Sequence, residues 1–187
     1  MITPEYNILS RLPLMQYKII EHLVKNNEDI WKLLKYPESN ALENTALSIS
    51  EKSELIYPGG GMDADKYRVF MDILSDDSFT QQSSLIRIYP LVILPKDRIR
   101  ADVTFCIQVL CHSKITQLCN YTNRNVYMFQ QIIETLNGSD INGVGLLAFD
   151  KMGNPNDRII ADINNNRNYQ GYSIYMSTHT STLKGSC

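Results

Sequence analysis

Ile99-Arg100-Ala101-Asp102-Val103-Thr104-Phe105-Cys106-Ile107-Gln108-Val109-Leu110-Cys111-His112 is the stretch that decides the fold. Ala101, Val103, Phe105, Ile107, Val109 and Cys111 share one side of an extended chain. Arg100, Asp102, Thr104, Gln108 and His112 share the other, where Cys106 and Leu110 interrupt the polar row. Successive strand side chains point to opposite faces, so this alternation predicts a long strand with one face on a core. Ser84 to Leu94 reads as a strand too, and Pro95-Lys96-Asp97-Arg98 between the two is short and rich in turn formers. The pair is therefore expected to form an antiparallel hairpin. Tyr67 to Leu74 adds a strand before it.

Working outward, Arg124 to Leu136 predicts a helix with Val126, Phe129, Ile133 and Leu136 along one stripe, capped by Asn123 and closed by Asn137-Gly138. Val144 to Phe149, after Asn142-Gly143, predicts a short strand returning to the sheet. A polar linker then runs from Asp150 to Asn168, and Tyr169 to Ser177 alternates as a last strand with Tyr172, Ile174 and Met176 facing one way. The tail from Thr178 to Cys187 is small and polar. Toward the N-terminus the period changes to that of helices. Leu12, Met15, Ile19 and Leu23, with Ile20 and Val24, form an apolar stripe that leaves Gln16, Lys18, Glu21 and His22 outside. Asn27 starts a second helix through Ile30, Trp31, Leu33 and Leu34, which Pro37 ends. Glu38 to Tyr57 is less periodic; a short strand or turn around Ala46 to Ile49 is compatible with it, and no element is assigned there. The expected fold is α+β: a mixed, mainly antiparallel sheet of four to five strands with one helix across it. Residues 1–57 are an N-terminal helical segment and 58–187 the α+β domain with its polar tail.

The 187 residues carry 18 Lys plus Arg against 20 Asp plus Glu, a formal charge of −2 that does not suit a protein gripping nucleic acid with its whole surface. No apolar run reaches the length of a membrane span, and the start lacks the basic and apolar regions of a signal peptide, so the chain is expected to be made inside the cell. Cys106, Cys111, Cys119 and Cys187 then read as free thiols, and with no C-x2-C pair a zinc site is not expected. Pro58-Gly59-Gly60-Gly61 is followed by acidic Asp63 and Asp65 where a phosphate loop needs Lys-Ser or Lys-Thr, so it reads as a surface loop. Asp76-Asp77 reads as a solvated turn. Cys111 and His112 are neighbours on a strand, point to opposite faces and cannot pair as nucleophile and base; His112 is expected to bond a loop at the strand end. No catalytic or cofactor motif is present, and neither catalysis nor a cofactor is expected.

Eleven tyrosines against five phenylalanines supply broad rings with polar tips, a type enriched at interfaces. Tyr169, Tyr172 and Tyr175 of the last strand and Gly59, Gly60 and Gly61 of the glycine loop are the subunit-contact candidates. The order of elements resembles bacteriophage neck proteins, in particular the tail terminator group. The residues that carry the likeness are Tyr67-Arg68-Val69-Phe70-Met71, Leu85-Ile86-Arg87-Ile88-Tyr89-Pro90, Val103 to His112, and Ile132 to Gly138 leading to Gly143-Val144-Gly145. The resemblance implies a virion protein, made in the host cytoplasm, that forms a ring of six subunits on the tail tube and joins it to the connector. DNA would pass its channel without specific binding, which a near-neutral chain permits. The alternatives are another neck part, such as a head completion protein or sheath adaptor, or a small α+β enzyme using Cys111 and His112.

Overall fold

The computed structural model describes residues 8–60, 63–72, 81–96, 101–149, 159–162 and 168–179. Gly61, Asp76, Asp77, residues 97–100, most of residues 150–168 and the residues from 180 lie outside them. The elements are α1 (Ile8–Asn26), α2 (Asp29–Lys35), α3 (Ile49–Glu54), β1 (Val69–Phe70), β2 (Ser84–Pro95), β3 (Ala101–His112), α4 (Arg124–Leu136), β4 (Ser139–Ile141), β5 (Gly145–Ala148), β6 (Ile159–Asp162) and β7 (Tyr169–His179).

The fold is α+β, with a sheet larger than the sequence implies. Six strands run in the order β1-β2-β3-β7-β5-β4, and β6 pairs with β7 off that path. β1 is parallel to β2, and every other pairing is antiparallel. The β2–β3 hairpin is as predicted, with a bulge between Pro90 and Val92. β5 and β6 share the far edge of β7, β5 at Ser177 and Thr178, β6 from Gly171 to Ile174. β6 falls where the sequence suggested only linker. Its apolar Ile159-Ile160-Ala161 is too short to stand out among the surrounding Asn and Asp residues.

α4 has the predicted bounds, and Asn123 Oδ1 accepts the N–H groups of Asn125 (2.9 Å) and Val126 (3.2 Å). Its stripe is rotated from the expected one. Met128, Ile132 and Leu136 are buried, and Phe129 and Ile133 only half so, because α4 packs on β3 and β7 with one flank and on α1 and α2 with another. Asn27 Oδ1 caps α2 through the Ile30 N–H at 2.9 Å, and its amide donates to Gln131 Oε1 (3.1 Å) and Thr135 Oγ1 (3.0 Å) of α4. In place of a strand near Ala46, Ser48 and Glu51 form a reciprocal capping box that starts α3.

One apolar core joins the helical segment to the sheet: Met15, Ile19, Leu23, Trp31 and Leu34 meet Ile86, Ile88, Phe105, Ile107, Met128, Ile174 and Met176. Gln16, expected outside, is 8% exposed and donates from Nε2 to Met71 O (2.8 Å) and Ile88 O (2.9 Å). Met71 and Ile88 lie just past the β1–β2 pairing, where ladder partners end, so a buried amide there satisfies two carbonyls. Lys52 is 6% exposed and reaches Val24 O (3.1 Å) at the end of α1 and Glu28 Oε2 (2.7 Å). Burial pushes the Glu28 carboxyl up, but the Lys52 and Leu47 hydrogen bonds together hold it below its ordinary value.

β3 is covered on both faces rather than one. Opposite the main core, Phe70, Leu85, Leu110 and Tyr169 make a second cluster under Tyr57, Ala64 and Tyr67. Beyond it the same face is polar and interlocked, with Thr104 Oγ1 2.8 Å from Ser177 Oγ and Gln108 Nε2 donating to Ser173 Oγ at 3.3 Å.

Candidate interaction site

Of the groups that sequence reasoning singled out, the end of β3 brings together Cys111, His112 and Tyr169. Cys111 and His112 point to opposite faces, as strand geometry requires. Cys111 is fully buried, and burial is the main influence lifting its thiol to about 11, against a smaller opposing pull from the Ser84 hydroxyl 3.7 Å away. His112 Nδ1 accepts the Lys114 N–H at 3.2 Å and caps the turn Ser113–Ile115. Both groups are occupied by the fold. Among the described cysteines, exposed Cys119 is therefore expected to alkylate at pH 8 before Cys111 and Cys106, read by mass spectrometry of labelled peptides. Faster labelling of Cys111 would contradict this placement.

His112 also carries a pH prediction. Burial first, and Lys114 second, hold its pKa below the ordinary histidine value, so the folded state favours the neutral ring that accepts from Lys114. Its contribution is complete above the unfolded pKa of about 6.5 and is lost as pH falls through the lower folded value. His112→Asn keeps an acceptor for the turn and removes the titration. The stability difference between pH 7.5 and pH 5.5, measured by urea denaturation, should shrink in that variant.

The candidate tyrosines separate. Tyr169 is 2% exposed, with its hydroxyl donating to Gln81 O at 2.6 Å and lying 3.2 Å from Ser83 Oγ, and its ring is edge-on to His112. Tyr172 is half-buried against Phe129 of α4, with ring centroids 4.7 Å apart. Tyr175 is half-buried on the other face, beside Cys106 in register. Gly59 and Gly60 take left-handed φ values of 83° and 79°, and nothing stands within 4 Å of a β-carbon added at either. Gly59 and Gly60 thus take a backbone that favours glycine with open space about it, and Gly60 is exposed.

Sequence reasoning missed two groups. Arg124, the first residue of α4, has no exposure, and its guanidinium donates to five backbone carbonyls: Ile115 (3.0 Å), Leu33 (3.0 Å), Tyr36 (2.8 Å), Pro37 (2.9 Å) and Glu38. It closes the C-terminal end of α2, where a cation is favoured, and ties the turn after α2 to α4 and the β3 exit. Tyr121 is the second. Its φ is 63°, the only left-handed residue other than glycine among the described residues, and its ring is 96% exposed. At the other end of β3, Leu91 and Leu94 of β2 are 48% and 49% exposed.

Among the described residues, no three His, Cys, Asp or Glu side chains are placed to hold a metal ion, and no helix is long and apolar enough to cross a membrane. The fold is thus an α+β sheet with α1, α2 and α4 on one face, Cys111 and His112 bonded within the fold, and large apolar side chains exposed at several places, Ile49, Leu146, Leu91, Leu94 and Tyr121 among them. Neither a curated protein nor a solved structure matches the chain. It does match the YomW family over residues 27–178, and so belongs to that phage-derived family.

Proposed function

We propose that the chain is a structural virion protein of a tailed bacteriophage. It forms a ring of six subunits at the head–tail junction that caps the tail tube and joins it to the connector. The observation that carries the reading is the pairing of phage-derived family membership with the way this chain spends its side chains. Cys111 and His112, the groups best suited to chemistry, are consumed in holding the β3 exit, while Tyr121, Leu91 and Leu94 are left bare. Side chains spent this way suit a tile whose work is contact with other protein.

The interlocked core favours the same role. Gln16, Arg124 and Asn27 tie the helices to the sheet and to each other by buried hydrogen bonds, so the subunit can bear load without its layers sliding. A ring needs head-to-tail contacts between unlike surfaces, and a channel for DNA needs walls that do not hold phosphate, which a formal charge of −2 suits. Of the tyrosine and glycine candidates, the Gly59-Gly60 turn and the exposed part of Tyr175 remain able to face a neighbour, whereas Tyr169 serves its own subunit. Native mass spectrometry of the purified full chain tests the assembly: a discrete closed oligomer of six is expected, and a monomer at every concentration would count against the ring.

A further inference from the structure

The left-handed conformation of Tyr121 disfavours a residue with a β-carbon, and its side chain gains little packing in return, because the residue is 96% exposed. The turn beneath it is nevertheless fixed. Leu118 is 4% exposed and donates its N–H to Thr122 O at 3.0 Å. The Tyr121 N–H reaches Leu118 O at 3.1 Å, and the Cys119 N–H reaches Ser39 O at 2.9 Å. Thr122 N–H is taken by Asn120 Oδ1 at 3.1 Å. A solvated aromatic side chain thus stands on a backbone turn that is pinned by hydrogen bonds. Its rim is acidic: Glu38 and Glu43 are exposed, and Glu43 Oε1 lies 3.7 Å from Cys119 Sγ.

At the opposite end of β3 the outer half of β2 presents a second bare surface. The bulge after Pro90 pushes Leu91 out of the pleat, and Leu91 and Leu94 are each about half exposed beside Lys96, which is bonded to Asp102 at 2.8 Å. Pro90 and Pro95 lack the N–H groups an added strand needs, so this edge suits side chains better than another strand. Leu94 pairs with Asp102 near the start of β3 and Leu91 lies opposite Thr104 and Phe105, whereas Tyr121 follows the far end of β3, so the two surfaces are distinct. An aromatic knob with an acidic rim at one pole and an apolar patch with a cation at the other are complementary and unlike. A two-fold dimer would use one surface twice, whereas a head-to-tail contact uses two.

We propose that Tyr121, flanked by Glu38 and Glu43, docks on Leu91, Leu94 and Lys96 of a second copy of this chain. This rests on the ring reading above and names its contact. The neighbour's carboxylates extend the Lys96–Asp102 pair across the junction, and the strain at Tyr121 is the cost of aiming the ring.

Sedimentation velocity of the full chain tests it, with Tyr121→Asn, whose residue tolerates the left-handed turn, and Leu94→Glu or Leu91→Glu, each checked by circular dichroism for folding. Tyr121→Asn should keep or raise Tm while weakening self-association at least tenfold, and either leucine variant should weaken it similarly. Mixed together, the two variants retain one good knob and one good patch, and should stop at a dimer. If the parent chain assembles and Tyr121→Asn assembles equally well, or the mixture yields no dimer, this contact is wrong while the ring reading stands. A parent chain that stays monomeric overturns both.

Discussion

Replacing Arg124 with methionine is expected to remove about 3–5 kcal/mol of stability, a large fraction of the roughly 5–15 kcal/mol that holds a typical domain folded. The five carbonyls it serves come from three places in the chain: the end of α2, the turn through Pro37 and Glu38, and Ile115 after β3. Methionine fills the volume and supplies no donor, leaving carbonyls buried without partners. Burial pushes the Arg124 pKa down, so the charge is held there by the converging carbonyl dipoles rather than by a carboxylate among its hydrogen-bond partners. Lysine is not a substitute, because three donors on one nitrogen cannot reproduce a planar fork with five. Arg124→Lys should recover less than half of the loss. Guanidinium denaturation of both variants measures this, and a loss under 1 kcal/mol for Arg124→Met would show that the knot carries little.

The second large effect is expected at Gly171. A β-carbon there would lie 1.7 Å from Val109 O, 2.8 Å from Val109 C and 3.0 Å from Leu110 Cα, all backbone atoms of the neighbouring strand. Gly171→Ala must therefore push β7 away from β3 at the centre of the sheet, where the Leu110–Gly171 pair sits. The expected cost is about 3 kcal/mol or more, with accumulation as insoluble protein. Gly143→Ala is the control. Its β-carbon would meet only Lys18 Cγ at 3.7 Å, and its difficulty is the left-handed φ of 86°, a strain of about 1–2 kcal/mol without displacement of a strand. Equal losses for the two variants would refute the close-approach account.

The contrast between α4 and α1 shows what could be read from the chain. Asn123 before Arg124 and Asn137-Gly138 after Leu136 bracket α4 by local chemistry alone, and its bounds follow. The bulk of the β2–β3 hairpin is equally local. The inward role of Gln16 is not, because a helical wheel assigns a polar residue to water and only the missing ladder partners of Met71 and Ile88 explain its burial. Ser48-x-x-Glu51 is different again: the signal for α3 stood in the sequence, obscured by weak apolar periodicity around it. The second cluster joins Phe70, Leu85, Leu110 and Tyr169 from four strands, and the Arg124 knot gathers carbonyls from Leu33 to Glu38 and from Ile115, far apart in the chain from Arg124 or from each other. Neither leaves a local trace. The left-handed backbone at Gly59 and Gly60 was legible in the glycine run, whereas that of Tyr121 has no sequence pattern.

The most direct measurement is imaging of phage particles that carry this chain with an antibody-reactive tag on an exposed loop. Label confined to the junction between capsid and tail, one ring per particle, is the predicted result. Label absent from purified particles, with the chain left in the infected-cell lysate, would contradict a structural place in the virion.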